Sequence, residues 1–487
     1  VSGYQPSKPV TGNYEHDMEY IKKRLDVDKS FDLINLDLEY VGRKFGMFMV
    51  DGFAKDDILH LLMKFLACLS PEQLEEGTLD KLLKTYIPYI EIETVDDLEK
   101  VVDTVLAGPT ALIIEGLKEA IIIDARTYPV RGPEEPDTER VVRGSRDGFV
   151  ETLVFNCALI RRRVRDRSLR MEYTQVGRRS KTDISICYLE DIADPHTVKK
   201  VKESLDLIDT DGIPMAEKTI EEYVDGRHFN PYPNVRYTER PDTAATHLFE
   251  GHVLILVDGS PSAIIAPTTF WHHMQHAEEY RNKPVVGAYL RLVRFLAVWA
   301  SIFILPLWYL FALNPELLPE RLEYIGTSEQ STVPLLAQIL IIEVGMDMLR
   351  MAAIHTPTAL ATALGLVAAI LIGDVAVTVG LFVPEIILYL AIAAIGTFST
   401  PSYEMSLANR LFRIVLLLAT AAFGVTGFMI GLVVLLVLLT RMKSYDVPYL
   451  WPFIPFDLRA FRDVLFRSPI PLKNRRPSVL HPQDPDR

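Results

Sequence analysis

Three carboxylates stand where carboxylates are expensive. Asp374 interrupts the apolar run from Pro357 to Gly380, and Glu343 and Asp347 lie one helical turn apart in the apolar segment Pro334 to Met351. An acid at that depth must face protein, water or an ion path, and a ring of such acids would concentrate cations. Asp347 has a local partner three residues on, Arg350, at a spacing that pairs on a helix. Asp374 either faces an ion path, caps the helix at Pro384, or pairs with Arg410 or Arg413 and holds the bundle together. Around it, Thr362, Gly365, Ala369, Gly373, Ala376 and Gly380 fall within about 80° of one another on a helical wheel. Such a small-residue stripe permits close helix packing or lines a narrow pore when repeated around a ring.

A second set of charges is soluble. Thirteen arginines lie between Arg126 and Arg179. Arg131, Arg140, Arg143 and Arg146 are interleaved with Glu134, Glu135, Asp137 and Glu139, and guanidinium forks pair directionally with carboxylates. These pairs close either between neighbouring subunits, setting a ring, or within one chain as a brace. The run Arg161, Arg162, Arg163, Arg165 and Arg167 ends an expected helix from Phe149, where cations suit a helix terminus; a solvated end with local carboxylate partners is expected. His272 and His276 have i, i+4 spacing beside His273, but no further ligand at suitable spacing completes a zinc site, so no metal is expected. No P-loop, Gly-rich dinucleotide loop or nucleophile elbow is present, so neither a cofactor nor an enzyme is expected. A net charge of −13 argues against nucleic acid as a partner.

The elements that must position these groups divide at about residue 283. Before it charges are dense. After Arg294 long uncharged runs appear, such as Phe295 to Pro315 and Ile414 to Thr440, long enough to cross a bilayer core. The soluble half repeats an order of strand, helix, helix and hairpin, with acid-Gly turns at Asp51-Gly52, Glu115-Gly116 and Asp258-Gly259 after apolar strands. The expected fold is an α/β cytoplasmic N-terminal region of two related subdomains plus an α-helical transmembrane bundle. Its divisions are 1–30, a polar segment; 31–128 and 149–275, the subdomains; 129–148, the Arg-rich linker; 276–445, the membrane domain; and 446–487, a Pro-rich cytoplasmic tail extended on the surface. About four spans are expected, at 290–313, 356–380, 384–402 and 410–440. Pro334 to Met351 is expected to be an amphipathic or re-entrant helix at the outer face. Basic flanks put both termini in the cytoplasm, although Arg410 and Arg413 would then begin the last span from outside. The polar first 30 residues do not resemble a signal peptide, and Cys68, Cys157 and Cys187 read as thiols in a reducing compartment.

The stretch Arg131 to Phe149, RGPEEPDTERVVRGSRDGF, followed by Val150-Glu151, resembles the signature of the A subunits of spore germinant receptors, the GerA family. Pro357 to Tyr403 resembles the same family in its Gly-rich helix, the Val383-Pro384-Glu385 turn, and Phe398-Ser399-Thr400-Pro401-Ser402-Tyr403. The resemblance implies a multi-pass protein of the bacterial spore inner membrane that acts in germination. It further implies a ring-shaped homo-oligomer conducting monovalent cations, in contact with membrane lipids and other spore germination membrane proteins. A nonconducting scaffold that recruits such proteins is the first alternative, and a transporter the second.

Overall fold

The computed structural model describes residues 8–25, 27, 33–50, 56–70, 91–126, 132, 134–136, 139–225, 229–327, 333–355, 365 and 375–487. They form two compact units, 1–131 and 132–487. In the first, helix α1 (Tyr14–Leu25) precedes strands β1 (Leu33–Tyr40) and β2 (Arg43–Val50), helix α2 (Asp56–Ala67), β3 (Ile92–Val95), α3 (Leu98–Leu106) and the hairpin β4 (Thr110–Ile114) and β5 (Ala120–Ile123). All pairings are antiparallel, in the order β1-β2-β4-β5-β3. Side chains alternate across the strands. Phe45, Met47 and Met49 therefore face Leu59, Leu62 and Leu66 of α2, while Phe48 and Val50 join α1 and α3.

The second unit opens with the same design. Helix α4 (Leu153–Arg163) leads to β6 (Leu169–Val176), β7 (Thr182–Leu189), α5 (Pro195–Asp206), α6 (Ala216–Asp225), β8 (Arg236–Thr238), α7 (Pro241–Glu250), β9 (Val253–Val257) and β10 (Ala263–Ala266). The sheet order β6-β7-β9-β10-β8 is the first order shifted by five strands. Ile184, Ile186 and Tyr188 pack with α5 and α6, and Cys187 and Leu189 with α4 and α7.

Helix α8 (Pro284–Leu313) then begins a bundle with α9 (Leu335–His355), α10 (Pro384–Phe398) and α11 (Tyr403–Arg441). Among the described residues, α8 and α11 are long and apolar enough to cross a membrane. Three expectations change here. First, α11 is not one rod. Gly424 has φ 58° and ψ −135°, outside the helical region and readily reached only by glycine. A Cβ on Gly427 would come within 1.9 Å of the Ala419 carbonyl oxygen, and one on Gly431 within 2.5 Å of Leu416 Cδ1. In a straight helix those pairs stand roughly 12 and 22 Å apart. The chain therefore reverses at Gly424, and arms 403–423 and 425–441 lie antiparallel, with Ala408, Phe412 and Leu416 sharing a core with Leu435 and Leu439. Arg410 and Arg413 thus lie toward the same end of the hairpin as Met442.

Second, α9 is packed among the other helices of the bundle. Gln338 accepts from the Val383 amide at the start of α10 (2.9 Å), Ile339 and Ile342 pack with Leu305 and Trp308, and Arg350 stacks over the Tyr403 ring at 6.0 Å. The helix therefore runs antiparallel to α8 through the bundle, its charges matched by partners on α11. Third, the expected span 384–402 is the 15-residue α10, about 22 Å long and short of a hydrocarbon core of about 30 Å. Much of the expected span 356–380 lies outside the described residues.

The tail is knitted to the soluble part of its own unit. Ser444 Oγ donates to Asn234 O (2.7 Å) and accepts from Thr268 N (3.0 Å). Gln483 Nε2 donates to Glu190 O and Ala193 O, both at 2.7 Å. Arg476 Nε donates to Phe249 O (2.9 Å), and Lys473 Nζ to the buried Glu250 (2.7 Å). Burial alone would raise the Glu250 carboxyl, but the Lys473 charge holds it well below the usual carboxylate range.

Candidate functional site

Glu343 of α9 is 2% exposed and sits against two guanidiniums of α11. Arg413 donates through Nε to Oε1 (2.8 Å) and through Nη2 to Oε2 (3.1 Å), while Arg410 Nε reaches Oε2 (3.2 Å) and Arg410 Nη2 the Glu343 carbonyl (2.6 Å). Arg413 Nη1 also donates to Ser301 O of α8 (2.6 Å). Asp347 takes Arg410 Nη1 at 2.5 Å and Arg350 Nη2 at 3.0 Å. The set holds two carboxylates and three guanidiniums, so its acids are neutralised from within the chain. Beside it a cavity of about 20 Å³, lined by Glu343, Arg350, Thr397, Arg410 and Arg413, has room for one water. Gly396 sets the spacing here: a Cβ would stand 2.2 Å from the Ala297 carbonyl oxygen, so α10 lies directly on α8. Sequence reading found Glu343 and Asp347 but gave Glu343 no partner.

Of the small-residue stripe, Thr362, Ala369 and Gly373 lie outside the described residues, as does Asp374. Gly365 is exposed, with open space where a side chain would project, whereas Ala376 is buried. Gly380, at φ +73°, ends the helical turn 376–378 before the Val383-Pro384 start of α10.

In the arginine-rich signature, Arg131 and Asp137 lie outside the described residues. Glu139 is held within the chain: its carboxylate accepts from Arg236 Nη2 (3.1 Å) and Thr238 Oγ1 (2.6 Å). Its carbonyl accepts from the fully buried Arg240 (3.3 Å). Asp147 pairs with Arg163, drawn from the basic run, at 2.5 Å. Glu135 accepts weakly from the Val141 amide (3.4 Å), and Glu134 is exposed. Arg140, Arg143 and Arg146 are all exposed, and Arg143 and Arg146 make no ion pair among the described residues. Asp242 binds Arg240 and Arg281 (2.9 and 2.6 Å); burial opposes its charge, but these guanidiniums hold its carboxyl below the ordinary range. Sequence reading missed Arg236, Arg240 and Asp242, which lie about a hundred residues downstream with no local signal.

An α/β region with an arginine-braced signature, continuous with an apolar bundle clamped by buried ion pairs, defines a membrane-associated protein. The family model described as Bacillus/Clostridium GerA spore germination protein matches residues 19–479, and the chain belongs to that family; it is a spore germination protein, not an enzyme. It is similar to Stage V sporulation protein AF of Bacillus subtilis (strain 168), 49% identical over 466 residues that cover 96% of this chain and 94% of the relative. It is also similar to Spore germination protein GerLA of Bacillus cereus, 32% identical over 436 residues, 88% of each chain. The N-terminal domain of the A subunit of the Bacillus megaterium spore germinant receptor GerK3 aligns at 22% identity over 55% of this chain and 99% of that one, with a TM-score of 0.22.

Proposed function

We propose that this chain is the channel-forming subunit of a homo-oligomeric ring in the spore inner membrane, passing monovalent cations during germination. The observation that carries the reading is the ion-paired set Glu343, Asp347, Arg350, Arg410 and Arg413, placed inside a bundle whose α8 and α11 expose apolar side chains. Charges at such depth mark ion pathways or their closures. Within one chain the adjoining cavity of about 20 Å³ is too small for a path. The pore is therefore assigned to the ring axis, lined by the 357–380 segment with Thr362, Gly365, Ala369, Gly373, Ala376 and Gly380, and Asp374 as its cation-selecting acid. Glu343 and Asp347 keep the helices together beside it. Arg143 and Arg146 are offered to carboxylates of the neighbouring subunit.

The tail supports a sidedness for the bundle. Ser444, Lys473 and Gln483 bond to the α/β region that precedes α8, which favours both ends of the bundle opening on one side and an even number of passages. The basic flanks favour the cytoplasm as that side. A nonconducting scaffold is the second reading, favoured by the closed packing of the single chain. Potassium flux from liposomes separates them: wild type conducts, and Asp374→Asn lowers flux while the oligomer stays intact. No flux from an intact wild-type oligomer supports the scaffold.

A further inference from the structure

Four ionisable side chains far from the ion-paired bundle meet in the α/β region of the second unit. α7 ends with His247 and Glu250, His252 follows its Gly251 terminus, and His272 lies just past β10. The β9-β10 hairpin folds residues about 20 apart in sequence onto one another. The rings of His252 and His272 are 4.9 Å apart, and that of His247 is 5.0 and 5.9 Å from them. All four side chains are buried.

The imidazoles are arranged in a way that packing alone does not require. His252 Nδ1 lies 2.7 Å from Pro267 O and His247 Nδ1 2.8 Å from Thr243 O. A carbonyl only accepts, so both Nδ1 atoms carry the proton and both Nε2 atoms present a lone pair. Those two Nε2 atoms are buried without a hydrogen-bond partner among the described residues, which costs free energy unless something binds there. An Nδ1–H held by a backbone carbonyl, with Nε2 left open, is the usual disposition of a metal-binding histidine. His272 differs: its Nδ1 accepts from the Thr269 backbone amide (3.0 Å) and lies 3.0 Å from Thr269 Oγ1, so for Nε2 to become a ligand the ring must move its proton to Nδ1, giving up the amide and donating to the hydroxyl.

We propose that His252, His272 and Glu250 bind a divalent transition-metal ion of zinc's class, with His247 as the adjacent fourth donor. Ligand atoms of the first three lie within 4.8 Å of one another. Tetrahedral zinc needs donors about 3.4 Å apart, so binding draws the rings together by roughly an ångström. Lys473 and Arg487, which hold Glu250 at 2.7 and 3.3 Å, and Arg236 oppose an incoming cation. Metal and Lys473 therefore compete for one carboxylate, and the ion loosens the tail when it binds.

The test uses full-length protein in detergent, purified through a tag without histidine, stripped with chelator and titrated with zinc and cobalt. About one equivalent of zinc per chain is expected, with the visible absorption of four-coordinate cobalt and a raised unfolding midpoint. His252→Gln should weaken binding about 10- to 100-fold, and Lys473→Met should tighten it. Should His252→Gln fail to fold, the Lys473→Met comparison still decides. Cys157→Ser with Cys187→Ser should leave affinity unchanged. Less than a tenth of an equivalent bound, with no zinc-induced shift in the wild-type midpoint, would overturn the proposal, as would unchanged affinity in Lys473→Met or binding lost with the thiols.

Discussion

Glu343 accepts charge-assisted hydrogen bonds from Arg410 and Arg413 while 2% exposed; Arg410 keeps Asp347 at 2.5 Å, but removing the Glu343 charge leaves the buried Arg413 without a carboxylate. Glu343→Gln should cost about 3–5 kcal/mol, read as a lower midpoint of thermal unfolding in detergent. Replacing Glu343 and Arg413 together by methionine should recover much of that loss, because a buried pair exchanged for apolar side chains is often neutral. Failure of the double variant to recover would place the stabilising pairing elsewhere. The buried histidines set a pH dependence in the metal-free protein. His247, His252 and His273 are held by burial at about 3, 4 and 3, below the unfolded value of roughly 6.5. The unfolded chain then binds more protons, so their stabilisation is complete above about pH 6.5 and is lost as pH falls toward 4. The slope is up to about 1.4 kcal/mol per unit for each ring. Denaturant titrations at pH 7.5, 6 and 5 check this, and His273→Gln should flatten the profile.

Elements were legible where their hydrophobic pattern was strong. The expected order of strand, helix, helix and hairpin is found, with Asp56–Ala67 and Leu98–Leu106 as the helices of the first subdomain, and the hairpin turns at Glu115-Gly116 and Asp258-Gly259 are both present. Strands β1, β3, β6 and β8 escaped notice because all four are sheet edges. LRMEYTQV carries polar residues on its open face, and RYT is only three residues long. The hairpin in α11 escaped because an apolar run has the same composition whether it goes straight or turns back, and only Gly424 distinguishes them. Cysteines at Phe412 and Leu435 in a Cys-free background should cross-link readily within one chain. Gly424→Ala, or Gly427→Val against the Ala419 carbonyl, should sharply reduce the yield. No cross-link in the parent would restore a straight helix, in which the two positions stand roughly 34 Å apart.

For the whole molecule, the acid and arginine sets pointed to the right regions without revealing their partners, since those partners come from distant segments. Glu139 is engaged by Arg236 and Glu343 by Arg413, separations of 97 and 70 residues. Among the described residues, the signature arginines left exposed and without an ion pair are Arg143 and Arg146. Arg143→Glu should therefore shift the purified protein from oligomer toward monomer without unfolding it, as measured by size-exclusion chromatography with light scattering. An unchanged oligomer with an unchanged melting curve would assign the signature to bracing within the chain.

The bond between Lys473 and Glu250 spans 223 residues and has a consequence in time. At roughly 5–20 residues per second, a ribosome needs about 10–45 s to travel from one partner to the other. Throughout that interval the Glu250 carboxylate lacks its ammonium, and the α/β region waits on a segment made only after helices α8 to α11. The last contacts of that region therefore form after the apolar bundle has been synthesised, although most of its own residues were made before it.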